Sequence, residues 1–316
     1  MQTRTIASTG VAVTEFGFGA ASLGNLYRAI DDETAVRAVT AAFDAGIRYF
    51  DTAPHYGLGL SERRLGQALA GCRRDDFVLS TKVGRILAPN PRPTGSDLAT
   101  GGFDVPDDLT RRLDYSADGV RRSVDDSLQR LGLDRIDILY VHDPDDFVDQ
   151  AIKEAIPALV ELREQGVVGA IGVGMNFWEA PLRMVRETPI DVVMLAGRWT
   201  LLDRTGRELL DECAARGVSI VAAAPYNSGL LAQPRPAADA TFNYGPAGEV
   251  LIAEANRLAD VCERHGVELP VAALQFPLRH PAVASVVAGT RTPEQVAATV
   301  NRLSVTVPGA LWAELG

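Results

Sequence analysis

Eight short apolar runs recur along the 316-residue chain, and each is followed by a segment with helical periodicity. The runs have the length and composition of buried parallel strands and cover residues 14–19, 47–52, 77–83, 136–142, 168–174, 191–196, 218–224 and 283–289. The helical segments lie near residues 33–45, 61–70, 116–131, 149–165, 177–187, 205–216, 248–265 and 293–302. Gly46, Gly166 and Gly217 stand between a helical segment and the next run, where glycine commonly ends a helix. The repeating unit is therefore helix, glycine, strand.

Eight such units predict an α/β fold of the (β/α)8 type, a TIM barrel. No linker rich in Pro, Gly or Ser divides the chain, so residues 1–316 are expected to form one barrel domain. A doubly wound sheet is the alternative, and it would normally carry a G-x-G-x-x-G turn directly after the first strand. The segment GFGAASLG (residues 17–24) does not match that turn, and the following helix begins only near Asp32.

Two connections are longer than a barrel requires. Residues 84–115 follow the third strand and residues 225–247 follow the seventh, and neither shows a clear period. Loops of this length in a compact domain are usually functional or disordered. Because both follow strands, they are expected on the carboxyl face of the barrel, where active sites of this fold lie.

Composition excludes several classes of function. The formal charge of −10 and the pI near 5.0 argue against a nucleic-acid surface, which needs clustered Lys and Arg. No apolar run approaches the roughly 18 residues of a membrane span. The three cysteines, Cys72, Cys213 and Cys262, are far apart and show neither disulfide nor zinc spacing, so no metal site is predicted. We expect a cytoplasmic protein whose partner is a small molecule, whereas the sequence does not indicate the oligomeric state.

Four polar residues lie at or just beyond the ends of three consecutive predicted strands: Asp51, Tyr56, Lys82 and His142. Each alone is common as a cap, a surface charge or a packing residue. Together they suit proton transfer at a carbonyl or alcohol oxygen, because a cation such as Lys82 beside a phenol favours the phenolate. Asp51 would hold the lysine, which follows an apolar stretch and needs a partner when buried.

The chain resembles the aldo-keto reductases in five segments that occur in the family's order: FDTAPHYG, STKVGR, YVHDPD, IGVGMN and AGTRTPEQ. The resemblance implies that Asp51, Tyr56, Lys82 and His142 are the catalytic tetrad, with Tyr56 as the acid or base, and that a nicotinamide cofactor lies across the barrel mouth. Within the family, the segments GFGAASLGNLYR and HYGLGLSERRLG look most similar to bacterial aldose 1-dehydrogenases acting on L-fucose and related D-threo-aldoses, and to pyridoxal 4-dehydrogenase.

The resemblance also implies the residues that bind the cofactor: Asn176 for the carboxamide, and Gly289, Thr290, Arg291 and Gln295 for the adenosine phosphate. Thr292 and Pro293 have the pattern of an N-cap followed by a first helical residue, and a helix N-terminus favours anions. NADP-dependent relatives often carry Lys and Arg where this chain has Gly289 and Gln295. With only Arg291 left to meet a 2′-phosphate, the sequence predicts NAD in preference to NADP.

The expected reaction is oxidation of the C1 hydroxyl of an aldose, such as L-fucose, D-arabinose or L-galactose, to a lactone, with Tyr56 as the general base. Candidate substrate residues are Tyr27, His55, Arg198 and Trp199, and Trp199 is also a candidate to stack on the nicotinamide. Pyridoxal oxidation and NAD(P)H-dependent aldehyde reduction are alternatives within the family. Outside it, Lys82 could form the Schiff base of an aldolase, or the chain could be a non-catalytic subunit that binds the cofactor.

Overall fold

A closed barrel of eight parallel strands forms the centre of the computed structural model, which describes residues 1–243 and 245–316. Each predicted apolar run contributes one strand. The strands are β1 (Phe16–Gly19), β2 (Tyr49–Asp51), β3 (Val78–Val83), β4 (Ile138–His142), β5 (Ala170–Met175), β6 (Val192–Ala196), β7 (Ser219–Ala223) and β8 (Val283–Gly289). Every strand pairs with its neighbours in the chain, and β8 closes the barrel on β1. The predicted (β/α)8 barrel is confirmed.

The predicted helical segments all form helices around the barrel. They are α1 (Asp32–Asp44), α2 (Leu60–Leu69), α3 (Ala117–Leu131), α4 (Ile156–Glu164), α5 (Glu179–Glu187), α6 (Arg207–Arg216), α7 (Glu249–Arg264) and α8 (Pro293–Ser304). A π-helical turn, Ala151–Ala155, precedes α4. Gly46, Gly166 and Gly217 adopt φ of 86°, 73° and 71°, as expected of glycines that end helices. Within residues 1–243 and 245–316, no helix has the length and apolar character needed to cross a membrane.

Two helices of seven residues each, Leu269–Gln275 and Gly309–Leu315, were not predicted. The first is buried along almost its whole length, from Leu269 to Leu274. A helix that is apolar on all sides shows no amphipathic period, so periodicity cannot identify it.

The amino end of the barrel is closed. An antiparallel hairpin, Thr3–Thr5 with Ala12–Thr14, crosses it, and Ile6 and Val13 are fully buried there. They pack with an interior cluster that includes Tyr49, Tyr140 and Met194. A separate, larger apolar layer lies between the strands and the surrounding helices. The carboxyl end is therefore the end of the barrel available for a site.

The long connection at residues 84–115 is not the aperiodic loop that the sequence predicted. Arg85–Pro89 pairs antiparallel with Leu109–Leu113, and a short helix, Leu98–Gly101, lies between these strands. We call residues 85–113 the mouth hairpin. Its strands are mostly half-buried, with Ile86 as the one fully buried residue, so hydrophobic alternation is too weak to be detected. In the described residues of the second long connection, 225–243 and 245–247, the structure has a 3-10 turn, Asn227–Gly229, and paired two-residue strands, Thr241–Phe242 and Gly245–Pro246.

Candidate active site

Three neighbouring strands bring the predicted tetrad to the carboxyl rim of the barrel. Asp51 is the last residue of β2, Lys82 is the penultimate residue of β3 and His142 is the last residue of β4. Lys82 is in register with Tyr140 on β4, and Asp51 is in register with Ser80 on β3. Because parallel strands end at one edge, these side chains meet although they are distant in the sequence.

Lys82 is the centre of the cluster. Its Nζ donates hydrogen bonds to Oδ2 of Asp51 at 2.8 Å, to the backbone carbonyl of Thr52 at 2.8 Å and to the hydroxyl of Tyr56 at 3.1 Å. An ammonium has three protons, so each of these contacts uses one. The side chain is 2% exposed. The three acceptors therefore replace the water that burial removes.

Burial alone would lower the pKa of Lys82, because a low-dielectric environment disfavours the charged form. The charges of Asp51 and Tyr56, together with hydrogen bonds to both, outweigh burial and raise the pKa of the lysine. Lys82 is thus held as an ammonium at neutral pH. It places a fixed positive charge beside the Tyr56 hydroxyl.

A buried polar chain below Asp51 was not anticipated from the sequence. The hydroxyl of Ser80 donates to Oδ1 of Asp51 at 2.7 Å and lies 3.1 Å from the hydroxyl of Tyr49, which is 3.1 Å from that of Tyr140. Ser80 and Lys82 are two residues apart on β3 and so face the same side, which is the signal that could have identified Ser80. Both oxygens of Asp51 are consequently held.

Two glycines allow the loop that carries Tyr56 to approach the rest of the barrel mouth. A Cβ on Gly24 would lie 2.6 Å from the backbone carbon of Tyr56, and one on Gly57 would lie 2.3 Å from the carbonyl oxygen of Gly24. Gly57 also has φ of 61°. Only glycine permits this backbone contact, which places the Tyr56 hydroxyl over Lys82.

Two histidine rings stand beside Tyr56. The ring centroid of His142 is 6.0 Å from that of Tyr56 and 5.7 Å from that of His55, and His55 packs edge-on against Phe103 at 5.3 Å. Burial, reinforced by nearby cations, lowers the pKa of His142 well below its ordinary value and that of His55 to about 2. Both imidazoles are therefore neutral near pH 7. His55, a predicted substrate residue, lies beside Tyr56 and His142.

Residues of the mouth hairpin that the sequence did not single out also reach this region. Arg85 pairs with Asp143 at 2.9 Å, and Arg111 pairs with buried Asp97 through both terminal nitrogens at 2.6 Å. Asp143 lies in the left-handed backbone region with φ of 40°, which is uncommon for a residue with a side chain. The hydroxyl of Tyr115 donates to the carbonyls of His142 and Asp143 at 2.8 Å each and holds this turn.

The residues predicted to bind the adenosine phosphate lie at the end of β8 and the start of α8. Thr292 is the N-cap and Pro293 is the first helical residue, as predicted, and the backbone N–H of Gln295 donates to the Thr292 hydroxyl. The side-chain oxygen of Gln295 accepts from the backbone N–H of Arg291 at 2.8 Å. Arg291 donates to the carbonyl of Leu26 at 2.6 Å.

Buried polar atoms without a hydrogen-bond partner cluster at the carboxyl face. Of nine such side-chain atoms in the described part of the chain, seven belong to segments at or after the carboxyl ends of strands: His55, Arg85, Arg111, His142, Asn227, Thr290 and Arg291. Because unpaired buried polar atoms are rare, such a cluster is typical of a place where ligand or water supplies the partners. The Thr290 hydroxyl and the Nε–H of Arg291 are donors that fit the phosphate end of a dinucleotide. Asn176 directly follows β5 on the same face.

The predicted substrate residues are only partly brought together. Tyr27 lies half-exposed on the rim, and Arg198 follows β6, where it donates to Oδ1 of Asn243 at 3.0 Å. Trp199, in contrast, packs against Phe276 and His280 in the layer between barrel and helices. It does not face the mouth. The sequence indicated its proximity to β6 but not the direction of its side chain.

Comparison with known proteins agrees with this geometry. The aldo/keto reductase family model matches residues 15–315. D-threo-aldose 1-dehydrogenase of Pseudomonas sp is 49% identical over 98% of this chain and 95% of its own length. Pyridoxal 4-dehydrogenase of Microbacterium luteolum is 39% identical over 99% of this chain and 96% of its own length.

Among solved structures, the holo form of aldo-keto reductase AKR11C1 from Bacillus halodurans superposes with a TM-score of 0.80. It is 29% identical, and the alignment covers 100% of this chain and 96% of that one. The chain therefore belongs to the aldo/keto reductase family, whose members are oxidoreductases that use nicotinamide cofactors.

Proposed function

We propose that the protein oxidises the C1 hydroxyl of a cyclic aldose to a lactone and that NAD is the preferred acceptor. The contacts of Lys82 carry this proposal, because one buried ammonium reaches both a carboxylate and a phenol at the barrel mouth. The 49% identity to a D-threo-aldose 1-dehydrogenase supports an aldose, with L-fucose, D-arabinose and L-galactose as the first compounds to test.

In this proposal Tyr56, as the phenolate, takes the proton of the C1 hydroxyl. Lys82 stabilises the phenolate charge at 3.1 Å, and Asp51 holds Lys82 in place at 2.8 Å. His142, held neutral, hydrogen-bonds the same substrate oxygen and leaves the charge at the reacting centre to Tyr56 and Lys82. Bound NAD would accept the hydride from C1 as the C–O bond becomes a carbonyl.

The preference for NAD is supported by the charges at the start of α8. Glu294 lies in the first turn, and its hydrogen bond with the Thr292 hydroxyl lowers the pKa of the carboxyl, so the group is ionised. Gln295 is neutral, and Arg291 is partly engaged by the carbonyl of Leu26. A 2′-phosphate would therefore meet the Glu294 carboxylate beside an Arg291 that is already partly engaged.

The residues proposed to bind NAD are Asn176, Gly289, Thr290, Arg291 and Gln295. Asn176 would hold the carboxamide. The exposed Gly289 leaves room for a phosphate above the end of β8, and the Thr290 hydroxyl is buried without a partner. These groups would hold the cofactor across the mouth with its reactive end near Tyr56.

The assay is direct: purified protein with NAD and each of the three aldoses, followed by the appearance of NADH absorbance. We expect turnover with at least one aldose and a lower kcat/KM with NADP in place of NAD. Failure with every aldose would refute the proposal.

Oxidation of pyridoxal is the second candidate, favoured by the 39% identity to a pyridoxal 4-dehydrogenase. Pyridoxal replaces the aldose in the same assay, and the larger kcat/KM decides between them. Aldehyde reduction with NADH is measured in parallel. A Schiff-base aldolase would need a neutral amine at Lys82, whereas Asp51 holds this lysine protonated.

A further inference from the structure

We propose that Arg85 and Arg111 of the mouth hairpin select substrates that carry hydroxyl groups beside the reacting carbon. The inference rests on the proposed function and deepens it, because it names side chains that would recognise the rest of the substrate. Neither arginine belongs to the tetrad or to the predicted cofactor residues.

The register of the mouth hairpin places both arginines on one face. Arg111 lies opposite Leu87, and Arg85 lies opposite Leu113. Residues two apart on a strand and residues directly opposite in a ladder share a face. Arg112, opposite Ile86, is therefore on the other face.

The face that carries the two arginines is turned toward the barrel mouth. Arg85 reaches Asp143, the neighbour of His142, at 2.9 Å. Arg111 donates from Nη2 to the backbone carbonyl of His55 at 2.9 Å. Both histidines of the site are thus bordered by a guanidinium of the hairpin.

Carboxylates hold the two guanidiniums in fixed orientations. Arg111 forms a two-point contact with Asp97, and Arg85 forms a single contact with Asp143. The side chains of Arg111 and Arg85 are 12% and 20% exposed. Guanidiniums held in this way are preorganised to donate their remaining N–H groups to a ligand.

Four nitrogen atoms of this region are buried and make no hydrogen bond: Nε of Arg85, Nε of Arg111, Nδ1 of His55 and Nδ1 of His142. An Nε–H of arginine can only donate, whereas Nδ1 of a neutral imidazole donates or accepts according to its tautomer. A hydroxyl group both donates and accepts. A sugar offers several neighbouring hydroxyl oxygens that can accept from the remaining N–H groups of Arg85 and Arg111, whereas a plain aldehyde offers none beyond its carbonyl.

The charges of this face favour a neutral ligand. Asp97 offsets the charge of Arg111, and Asp143 lies against Arg85. Without surplus positive charge, an anionic substrate gains little here. The arrangement fits a neutral polyhydroxylated compound.

Reduction of two small aldehydes with NADH tests the inference without relying on aldose oxidation. Glyceraldehyde carries one hydroxyl on each of the two carbons beyond its carbonyl. Propanal has the same carbon chain without hydroxyls. We expect the wild-type kcat/KM to be larger for glyceraldehyde. Arg85→Met and Arg111→Met should each lower the glyceraldehyde-to-propanal ratio roughly tenfold, the value of one hydrogen bond to a charged group.

Two further variants make the result specific. Arg112→Met removes an exposed arginine from the opposite face of the hairpin and should leave the ratio unchanged. Arg111→Lys keeps a cation beside Asp97 but has no Nε–H, so it should also lower the ratio. If Arg111→Met fails to fold, Arg111→Lys tests the role of Arg111 in its place.

A wild-type enzyme without a preference for glyceraldehyde, or arginine variants that change kcat/KM for both aldehydes equally, would overturn the inference. Failure of aldose oxidation alone would refute only the proposed function.

Discussion

The two halves of the site are built differently. In the half formed by β2–β4, Lys82 and Asp51 are buried and each is held by short hydrogen bonds within the protein. In the half formed by the end of β8 and the start of α8, Gly289 and Gln295 are exposed, and Thr290 and Arg291 have buried atoms without partners. The Lys82–Asp51 pair is therefore satisfied within the chain, whereas the start of α8 is the proposed position of the cofactor phosphate.

This difference has an energetic consequence. A buried ion pair that loses one member leaves an uncompensated charge, so changes in the β2–β4 half should affect both stability and turnover. Changes at the exposed start of α8 should affect mainly which cofactor binds. Predictions for the two halves can therefore be compared on the same protein.

Lys82→Met should have the largest effect. It leaves Asp51 buried without its cation, so we expect a loss of about 3–5 kcal/mol in the free energy of unfolding. Turnover should fall by roughly 10³-fold or more, because Tyr56 loses the charge that stabilises its phenolate. Urea unfolding and steady-state kinetics measure the two quantities.

The double variant Asp51→Asn/Lys82→Met separates the effect on stability from the effect on turnover. It removes both charges and should recover part of the lost stability without recovering turnover. Full turnover in either variant would show that the buried pair is not needed for proton transfer.

Stability should fall as the pH is lowered below about 6.5, the pKa of histidine in an unfolded chain. Burial lowers the pKa of His55 to about 2 and that of His142 well below its ordinary value. Between the pKa of each histidine in the folded protein and its pKa in the unfolded chain, the unfolded chain binds more protons than the folded protein does. Each histidine then contributes a loss of up to about 1.4 kcal/mol per pH unit. Above pH 6.5 neither contributes a slope.

Asp143 acts in the opposite direction. Burial raises the pKa of its carboxyl to about 6. As the pH falls below that value, the folded state binds a proton before the unfolded chain does, which offsets part of the stability lost through the histidines. His55→Gln isolates one histidine: the difference in free energy of unfolding between pH 7.5 and 5.5 should shrink relative to wild type. An unchanged difference would mean that His55 is not held neutral in the folded protein.

Glu294→Lys should shift the cofactor preference toward NADP. The change removes a carboxylate and adds a cation in the first turn of α8, so we expect the ratio of the Kd values for NADP and NAD to fall about tenfold. Glu208→Lys, in the first turn of α6, is the matched control and should leave the ratio unchanged. An equal shift in both variants would indicate a general effect of net charge.

Thr292→Ala should have the smallest effect. Loss of the N-cap of α8 costs about 1 kcal/mol and loosens the segment proposed to hold phosphate, so NAD binding should weaken severalfold. Ser116→Ala removes the cap of α3, away from the proposed cofactor residues, and should cost similar stability with no change in NAD binding. Identical NAD affinity in both variants would argue against binding at α8.

Sequence periodicity predicted the eight strands and the eight surrounding helices because each element repeats one pattern of burial. The grouping of Asp51, Lys82 and His142 was predictable because parallel strands end at one edge. Beyond the contacts of Lys82 with Asp51 and Tyr56, hydrogen-bond partners and side-chain directions were not predictable. Ser80 looks like an ordinary strand residue until Asp51 is seen beside it, and Trp199 turns away from the mouth into the helix layer.

The strands of the mouth hairpin were missed for a second reason. Its stability depends on buried acids, such as Asp107, which accepts from the backbone N–H groups of Thr94 and Gly95 at 2.7 Å each. Such contacts depend on three-dimensional proximity rather than on a repeating pattern. The pairing of Arg111 with Asp97 across the hairpin belongs to the same class.

The central claim is that Tyr56 transfers the proton of the substrate hydroxyl, and Tyr56→Phe tests it most directly. Turnover of the best aldose and the Kd for NAD are measured on this variant and on Tyr226→Phe, whose hydroxyl contacts Arg302 instead. We predict that kcat falls by roughly 10³-fold or more in Tyr56→Phe while the Kd for NAD changes less than about twofold, and that Tyr226→Phe keeps wild-type kcat. A Tyr56→Phe protein that retains wild-type kcat would contradict the account.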